Sequence, residues 1–489
     1  MEQAAQKIGA GENARVVGHV QLNDQVRPPA PQSGLAAETE QMLAEWVNCA
    51  GDMDGLKRDH NRIINDILAL QAENRWEDIV ALFFPLEDKV PEQVAAGMDV
   101  DIRVKVAFAL VRLRRSDEAV RMLTPLAGQH PEDAMVHYTL GYAALDELFS
   151  ARTERRIIPA KRKQELIALA HTHFAAARDL RPDSVTFFYR EAILYKEIEK
   201  KPRLAIPLFT QAISNWERQS PQEQERHHQQ RPKYIKSLYH LASCQLEAGQ
   251  AAQSLKLLQI LEPQDKDRNF MHPLFKHFAF GKVLHALGRY KEAVQHLETA
   301  GFVAEAHQPT DFVWELAARC ALRLQQPEKA KGFINKVPRN RRRPYVLWTE
   351  ADILAADGRA REALRVLQSC GERDKRSRHV SLIRMARVFL GLREYDRALE
   401  AADRAASFCR DTYGNPSKEA LFWQAAALHL LGRNTEALAI IQELEAGHFR
   451  YPHFSRLAGL VRAAVPAATA AAGRDSQGGN NHGSATTKY

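Results

Sequence analysis

The stretch LFKHFAFGKVLHALGRYKEAVQHLETAGFVAEA, Leu274–Ala306, decides the fold. Leu274, Phe278, Gly281 and Leu284 recur at helical spacing in its first half, and Ala293, Leu297 and Ala300 in its second, with Gly288 between the halves. The pattern predicts two short amphipathic helices that meet at a tight turn. A pair that small cannot bury its apolar face alone and must stack on copies of itself.

The copies run along most of the chain. Each can be indexed by the small residue where the second helix crosses the first, because the two backbones approach closely there and apolar residues four and seven later continue the same face. The sets are Ile79/Phe83/Leu86, Ala119/Leu123/Leu126, Ala170/Phe174/Ala177, Ala205/Phe209/Ala212 and Ser254/Leu258/Leu261. They continue as Ala293/Leu297/Ala300, Ala330/Ile334/Val337, Ala363/Leu367/Cys370, Ala398/Ala402/Ala405 and Ala437/Ile441/Leu444, about ten units in all. Five residues before the crossing lie Asn74, Gly249, Gly288, Gly358 and Gly432, residue types that end a helix with positive φ. Twelve residues after it lie Pro91, Pro131 and Pro182, where one unit stops and the next begins.

These units resemble the tetratricopeptide repeats. The resemblance is carried by LGYA at Leu140–Ala143, by Ala170 and Phe174 followed by Pro182, and by the turns GRYKEA, GRAREA and GRNTEA at Gly288, Gly358 and Gly432. It covers roughly residues 62–444. It implies an all-α fold, a right-handed superhelical solenoid of about ten helix-turn-helix units. The family repeat is 34 residues long, whereas the crossing positions here are 33 to 51 apart. The longest gaps predict polar insertions near 149–163 and 217–233, placed between helices.

Around the array at 62–450, the polar, proline-bearing residues 1–34 are expected to be a disordered leader, and 35–61 a short cap helix that breaks at CAGDMDG. Residues 451–465 read as a closing helix and 466–489, rich in Gly, Ser, Thr and Asn, as a disordered tail. The N-terminus lacks a basic-then-apolar build and no apolar run approaches membrane-spanning length, so a cytoplasmic protein is expected. Five cysteines scattered singly suit reduced, buried thiols. The net charge of +8 and pI near 9.1 are mild for this length but leave room for an acidic partner.

No phosphate-cradling loop, HExxH or GxSxG motif occurs, and the acidic run at Asp52, Asp54 and Asp59 lacks the glycine position and closing Glu of a calcium loop. The sequence therefore predicts no enzyme, no cofactor and no metal site. The resemblance instead places function on a concave face lined by the first helix of each unit. Carried onto this chain, the groove positions are Tyr138, Tyr142, Arg190, Tyr239, Phe278, Lys282, Glu315, Arg319, Trp348, Asp352, Arg387 and Phe422. Aromatic rings give contact area at low entropic cost and guanidinium groups give forked hydrogen bonds, which suits a peptide or helix of a partner protein. The Asn and Lys set with which some members capture a terminal carboxylate is missing. Two basic clusters, Arg152, Arg155, Arg156, Lys161, Arg162 and Lys163, and Arg339, Arg341, Arg342 and Arg343, offer an alternative anion-binding or nucleic-acid surface. The leading expectation is a non-enzymatic adaptor; the alternative is a nucleic-acid-binding or regulatory accessory protein.

Overall fold

The computed structural model describes residues 34–465, which form helices and connecting turns with no strand among them; the expected leader and tail lie outside the described residues apart from Gly34. The chain divides into two compact units, residues 1–126 and 127–489.

In the first unit a helix Gly34–Ala72 runs unbroken for 39 residues, so the expected short cap helix and its break at CAGDMDG are absent. Gly51 and Gly55 each cost such a helix only about 1 kcal/mol relative to Ala, and no proline stops it. The predicted cap and the first helix of the first repeat are one element. The aspartates of the acidic run serve the helix surface: Asp54 pairs with Lys57 at 3.8 Å and Asp59 with Arg62 at 3.1 Å. The helices Trp76–Phe83, Val100–Arg112 and Ser116–Gln129 follow, with two short turns of helix, Leu86–Lys89 and Pro91–Ala95, between the first two. Ile67, Ile79, Ile102, Val106, Leu110 and Leu123 are fully buried in this unit.

The second unit stacks helix pairs. Ala134–Thr153 packs on Ala160–Leu180, Val185–Ile193 with a π-helical extension to Ile198 on Pro202–Glu217, and Arg231–Glu247 on Ala251–Gln264. Then come Pro273–Ala286 with Tyr290–Phe302, Asp311–Arg323 with Pro327–Asn335, Pro344–Ala356 with Ala360–Arg373, Arg378–Gly391 with Tyr395–Tyr413, and Lys418–Leu430 with Asn434–Ala446. The helix Phe454–Ala464 packs on the last pair. First helices also touch the first helix of the next unit, as Asp311–Arg323 touches Pro344–Ala356. The second unit thus holds eight such pairs, one for each crossing position from Ala170 to Ala437.

Every residue of the ten crossing sets is buried. The close approach behind that register is visible at Gly281, where an added Cβ would lie 2.6 Å from Leu297, and at Gly141, where it would lie 2.9 Å from Phe174. The turn residue five before the crossing has positive φ at Asn74, Gly249, Gly288, Gly358 and Gly432, and also at Arg114, Lys200, Gln325 and Arg393. In the unit crossing at Ala170 the left-handed residue is Arg155, further back, because both of its helices are lengthened, to 20 and 21 residues.

The GRxxEA pattern has a local cause. The Arg after the turn forks onto the Glu three residues later, as in Arg289 on Glu292 (2.7 and 2.5 Å), Arg359 on Glu362 (2.7 and 2.7 Å) and Arg433 on Glu436 (2.6 and 2.7 Å). The carboxylate sits in the first turn of the second helix, where the helix dipole favours it. Such exposed pairs are screened by solvent and fix the turn more than they stabilise the stack.

The expected loop insertions are largely helical. Residues 149–163 lengthen the two helices that end at Thr153 and start at Ala160, leaving a short link. Residues 217–233 hold a short helix, Pro221–Arg226, whose N-terminus is fixed by reciprocal hydrogen bonds between Ser220 and Glu223. Polar composition alone mistook solvent-facing helix for loop.

Candidate functional site

In each pair the small residue of the first helix faces its partner, so the positions three before and one after it turn toward the neighbouring first helices. Of the twelve positions read from sequence, Tyr138, Tyr142 and Phe422 are not surface groups. Tyr138 and Tyr142 are each only 7% exposed; their rings stack at 6.2 Å, and Tyr138 also stacks on Phe187 at 4.9 Å. Phe422 is 5% exposed in an aromatic cluster with Trp423, Tyr451 and Phe454, where it seals the last pair against the closing helix. These three pack the stack, because long aromatic side chains at such positions reach the next helix before they reach solvent.

The other groove positions remain accessible to different degrees, and several are brought together on successive first helices. Tyr239, Phe278 and Lys282 line one hollow of about 40 Å³ with Ala242 and Leu246. Phe278 meets Phe312 edge-on at 4.5 Å, and the Lys282 ammonium lies 5.9 Å from the Phe278 ring centre. Further along, Glu315 accepts a 2.7 Å hydrogen bond from Thr349 of the next first helix, and burial pushes its carboxyl above the usual range. Trp348 donates to the Ser381 hydroxyl at 2.9 Å, and Asp352 pairs with Arg384. These bonds tie neighbouring first helices together. They leave Lys282, Arg319 and Arg387 exposed above an apolar and aromatic floor; Arg319, with 48% of its side chain exposed, lies 3.9 Å from Glu315. Rings there offer contact area, and the exposed cations offer charged hydrogen bonds at the rim.

Phe312, Lys236 and Arg384 belong to this strip and were not found from sequence. Lys236 and Arg384 lie three residues before Tyr239 and Arg387, so they share a helix face with residues already picked. Extending the stripe by one turn would have found both.

The two basic clusters separate into engaged and free groups. Arg342 is the clearest correction: its side chain is only 5% exposed, pairs with Glu350 at 2.8 Å and donates to the carbonyls of Val337 (3.0 Å) and Ile334 (3.2 Å). It satisfies the end of helix Pro327–Asn335 and is not available to an anion. Arg343 pairs with Asp311 at 3.1 Å, Arg156 with Glu147 at 2.8 Å, Arg152 with Glu197 at 3.7 Å and Arg162 with Glu165 at 3.8 Å. Arg155, Lys161, Lys163, Arg339 and Arg341 stay exposed.

His171 and His173, two residues apart on helix Ala160–Leu180, have structural partners. His171 lies between Glu191 (3.1 Å) and Glu199 (2.9 Å), while His173 meets His137 at 2.8 Å. Among the described residues no group of three or more His, Cys, Asp or Glu could hold a metal ion. Cys244, Cys320, Cys370 and Cys409 are free and buried, and burial pushes the thiols of Cys244 and Cys320 up to about 12, which makes them inert. No described helix is long and apolar enough to cross a membrane.

Helix pairs in this register, with left-handed turns, small residues at the crossing and first helices in mutual contact, make the fold an all-α array of stacked helix repeats, similar to tetratricopeptide repeats. No family model and no curated protein matches the sequence. Among solved structures, a tetratricopeptide repeat protein from Parabacteroides merdae is 12% identical, the match covering 59% of this chain and 98% of its own, at a TM-score of 0.40. Yeast Tom70 is 14% identical over 83% of this chain and 96% of its own, at a TM-score of 0.37. YrrB, a TPR protein with an unusual peptide-binding site, is 16% identical over 44% of this chain and 89% of its own, at a TM-score of 0.31. Likeness at this level says nothing of ligand or partner; the repeat type rests on the helix pairs themselves.

Proposed function

We propose that the chain is a non-enzymatic adaptor that holds a segment of a partner protein along the first helices of its second unit. The observation that carries this reading is the accessible strip on successive first helices, from Tyr239, Phe278 and Lys282 through Arg319 and Trp348 to Arg387, in which aromatic surface alternates with exposed cations. Interfaces draw most of their affinity from such anchors. The basic clusters support a nucleic-acid reading less well, since half of their members already hold carboxylates or carbonyls of the chain itself.

The test is affinity capture from native cell extract with the full chain and with the double variant Arg319→Glu and Arg387→Glu. Both residues are exposed, so helicity by circular dichroism is expected to be unchanged. A discrete set of proteins that survives nuclease treatment and is lost with the variant is the expected result. Retention of the whole set by the variant would remove the groove assignment. Loss of the set on nuclease treatment would move the site to Arg155, Lys161, Lys163, Arg339 and Arg341.

A further inference from the structure

The link between helices Ala134–Thr153 and Ala160–Leu180 leaves an isoleucine in water. Ile157 is 90% exposed. Ile158 beside it is half-buried where, with Leu148, Ala151 and Ile198, it lines a hollow of about 430 Å³, and Ile157 stands at the edge of that hollow. The two side chains part because Pro159 holds the residue before it extended, and neighbours in extended chain leave opposite sides. Both flanking helices are lengthened at this end. Thr153 lies twelve residues past Gly141 and Ala160 ten before Ala170, against five from Gly281 to Ala286 and three from Tyr290 to Ala293 in an ordinary unit. The added turns carry the link about 10 Å further along the helix axes.

The residues around Ile157 are basic. Residues 152–163, RTERRIIPAKRK, hold six Lys or Arg and one acid, Glu154. Arg152, Arg156, Lys163 and Lys200 border the same hollow as Ile157. Arg152 and Arg156 lean on Glu197 and Glu147, at 3.7 and 2.8 Å. Arg155, Lys161 and Lys163 are exposed and form no ion pair among the described residues. Exposure of an apolar group is not telling by itself: Phe302 is 88% exposed, but it stands in TAGFVAEAH, which has no Lys or Arg. What sets the link apart is an apolar tip with unpaired cations on both sides of it.

That combination selects the partner. Nucleic acid or an acidic protein would satisfy the cations, but a phosphate backbone gains nothing from an isoleucine between them. An anionic lipid surface satisfies both groups: the apolar side chain passes below the headgroups, while Lys and Arg lay their stems along the apolar layer and carry their charges to the phosphates. We propose that this link is a peripheral docking site for an anionic bilayer surface, with Ile157 entering the acyl boundary and Arg155, Lys161 and Lys163 contacting lipid phosphates. Such contact needs no membrane-spanning helix. The site shares no residue with the groove strip and does not rest on the groove reading.

The test is flotation of the full chain with vesicles of phosphatidylcholine alone and of phosphatidylcholine and phosphatidylglycerol in equal parts. Wild type is expected to float with the anionic vesicles and not with the neutral ones, and the bound fraction to fall as salt is raised. Ile157→Ser leaves every charge in place and should weaken binding roughly fivefold or more, while Ile157→Leu should keep it. The triple variant Arg155→Glu, Lys161→Glu and Lys163→Glu should abolish flotation. All four residues are exposed, so helicity by circular dichroism should match wild type in every variant. Absence of wild-type flotation with the anionic vesicles overturns the proposal. Equal flotation by Ile157→Ser also overturns it, since the link would then be a charged patch without an inserted tip. Single-stranded poly(U) measures the rival partner: binding that the triple variant loses and Ile157→Ser keeps, with no flotation, would assign the cations to nucleic acid instead.

Discussion

Gln325 and Arg393 hold the left-handed backbone, with φ of 58° and 61°, that glycine holds at Gly288 and Gly432 in the corresponding turns. For a residue with a Cβ that conformation costs about 1–2 kcal/mol. Gln325→Gly and Arg393→Gly are therefore expected to stabilise their turns by roughly 0.5–1 kcal/mol, after the extra freedom of glycine in the unfolded chain is deducted. Urea unfolding of the full chain measures this, and a loss of stability in both variants would show that the side chains matter more than the turn. The reverse case is Gly281→Ala, which places a methyl 2.6 Å from Leu297 in a fully packed crossing. Overpacking of that kind costs about 1–3 kcal/mol. These turns explain why only some were legible: the left-handed residue is imposed by two helices folding back on each other. Evolution can place Gly or Asn there, which sequence reveals, or Arg, Lys and Gln, which it conceals.

Helix Ala160–Leu180 carries two histidines two residues apart whose environments drive them in opposite directions. Around His171 burial disfavours charge, but hydrogen bonds to Glu191 and Glu199 outweigh it and raise the pKa. For His173 burial, followed by the neighbouring His137, lowers it to about 4. His137 Nε2 lies 3.1 Å from the Pro131 carbonyl and its Nδ1 2.8 Å from His173 Nδ1, so only one of the two facing Nδ1 atoms can carry a proton. The signs follow from linkage. His173 binds its proton less readily folded than unfolded, so stability falls as pH drops from about 6.5 to about 4, by roughly 2–3 kcal/mol over that window. His171 contributes stability that is complete below about pH 6.5 and is lost as pH rises through its higher folded value. His173→Gln should flatten the acid limb of a Tm-against-pH curve, and His171→Gln should cost more at pH 5 than at pH 9; equal losses at both pH values would contradict the ion-pair reading. A spacing of two residues does not put two metal ligands on one helical face. It could not separate their roles, because the partners come from other elements 20 to 36 positions away. The unbroken helix Gly34–Ala72 escaped for a related reason, since glycine is a weak stop signal without a proline or a competing cap.

In a solenoid each repeat touches only its neighbours, so stability is a sum of local terms and interfaces, and damage at an end stays near that end. The register was legible because a crossing helix pair demands the same small-then-apolar pattern every time. The groove was only half legible, since exposure at a given position depends on how closely the next first helix packs: Tyr142 is covered, while Lys282, one position past the small residue of its own helix as Tyr142 is of its own, is open. The closing helix tests the additive picture. Phe454, Ala458 and Val461 are buried against the last pair, and Phe454 lies 6.4 Å from Phe422 in the aromatic cluster. Tyr451 adds a hydrogen bond to Glu419 at 2.8 Å. Ending the chain at Gly447 removes apolar burial worth on the order of 5 kcal/mol and exposes Phe422 and Leu444. Hydrogen exchange is then expected to lose protection strongly in Lys418–Leu430 and Asn434–Ala446, weakly in Arg378–Gly391 and not at all in Pro273–Ala286. Uniform loss across those helices would mean that the second unit unfolds as a single cooperative block, and an unchanged pattern would mean that the last pair needs no cover.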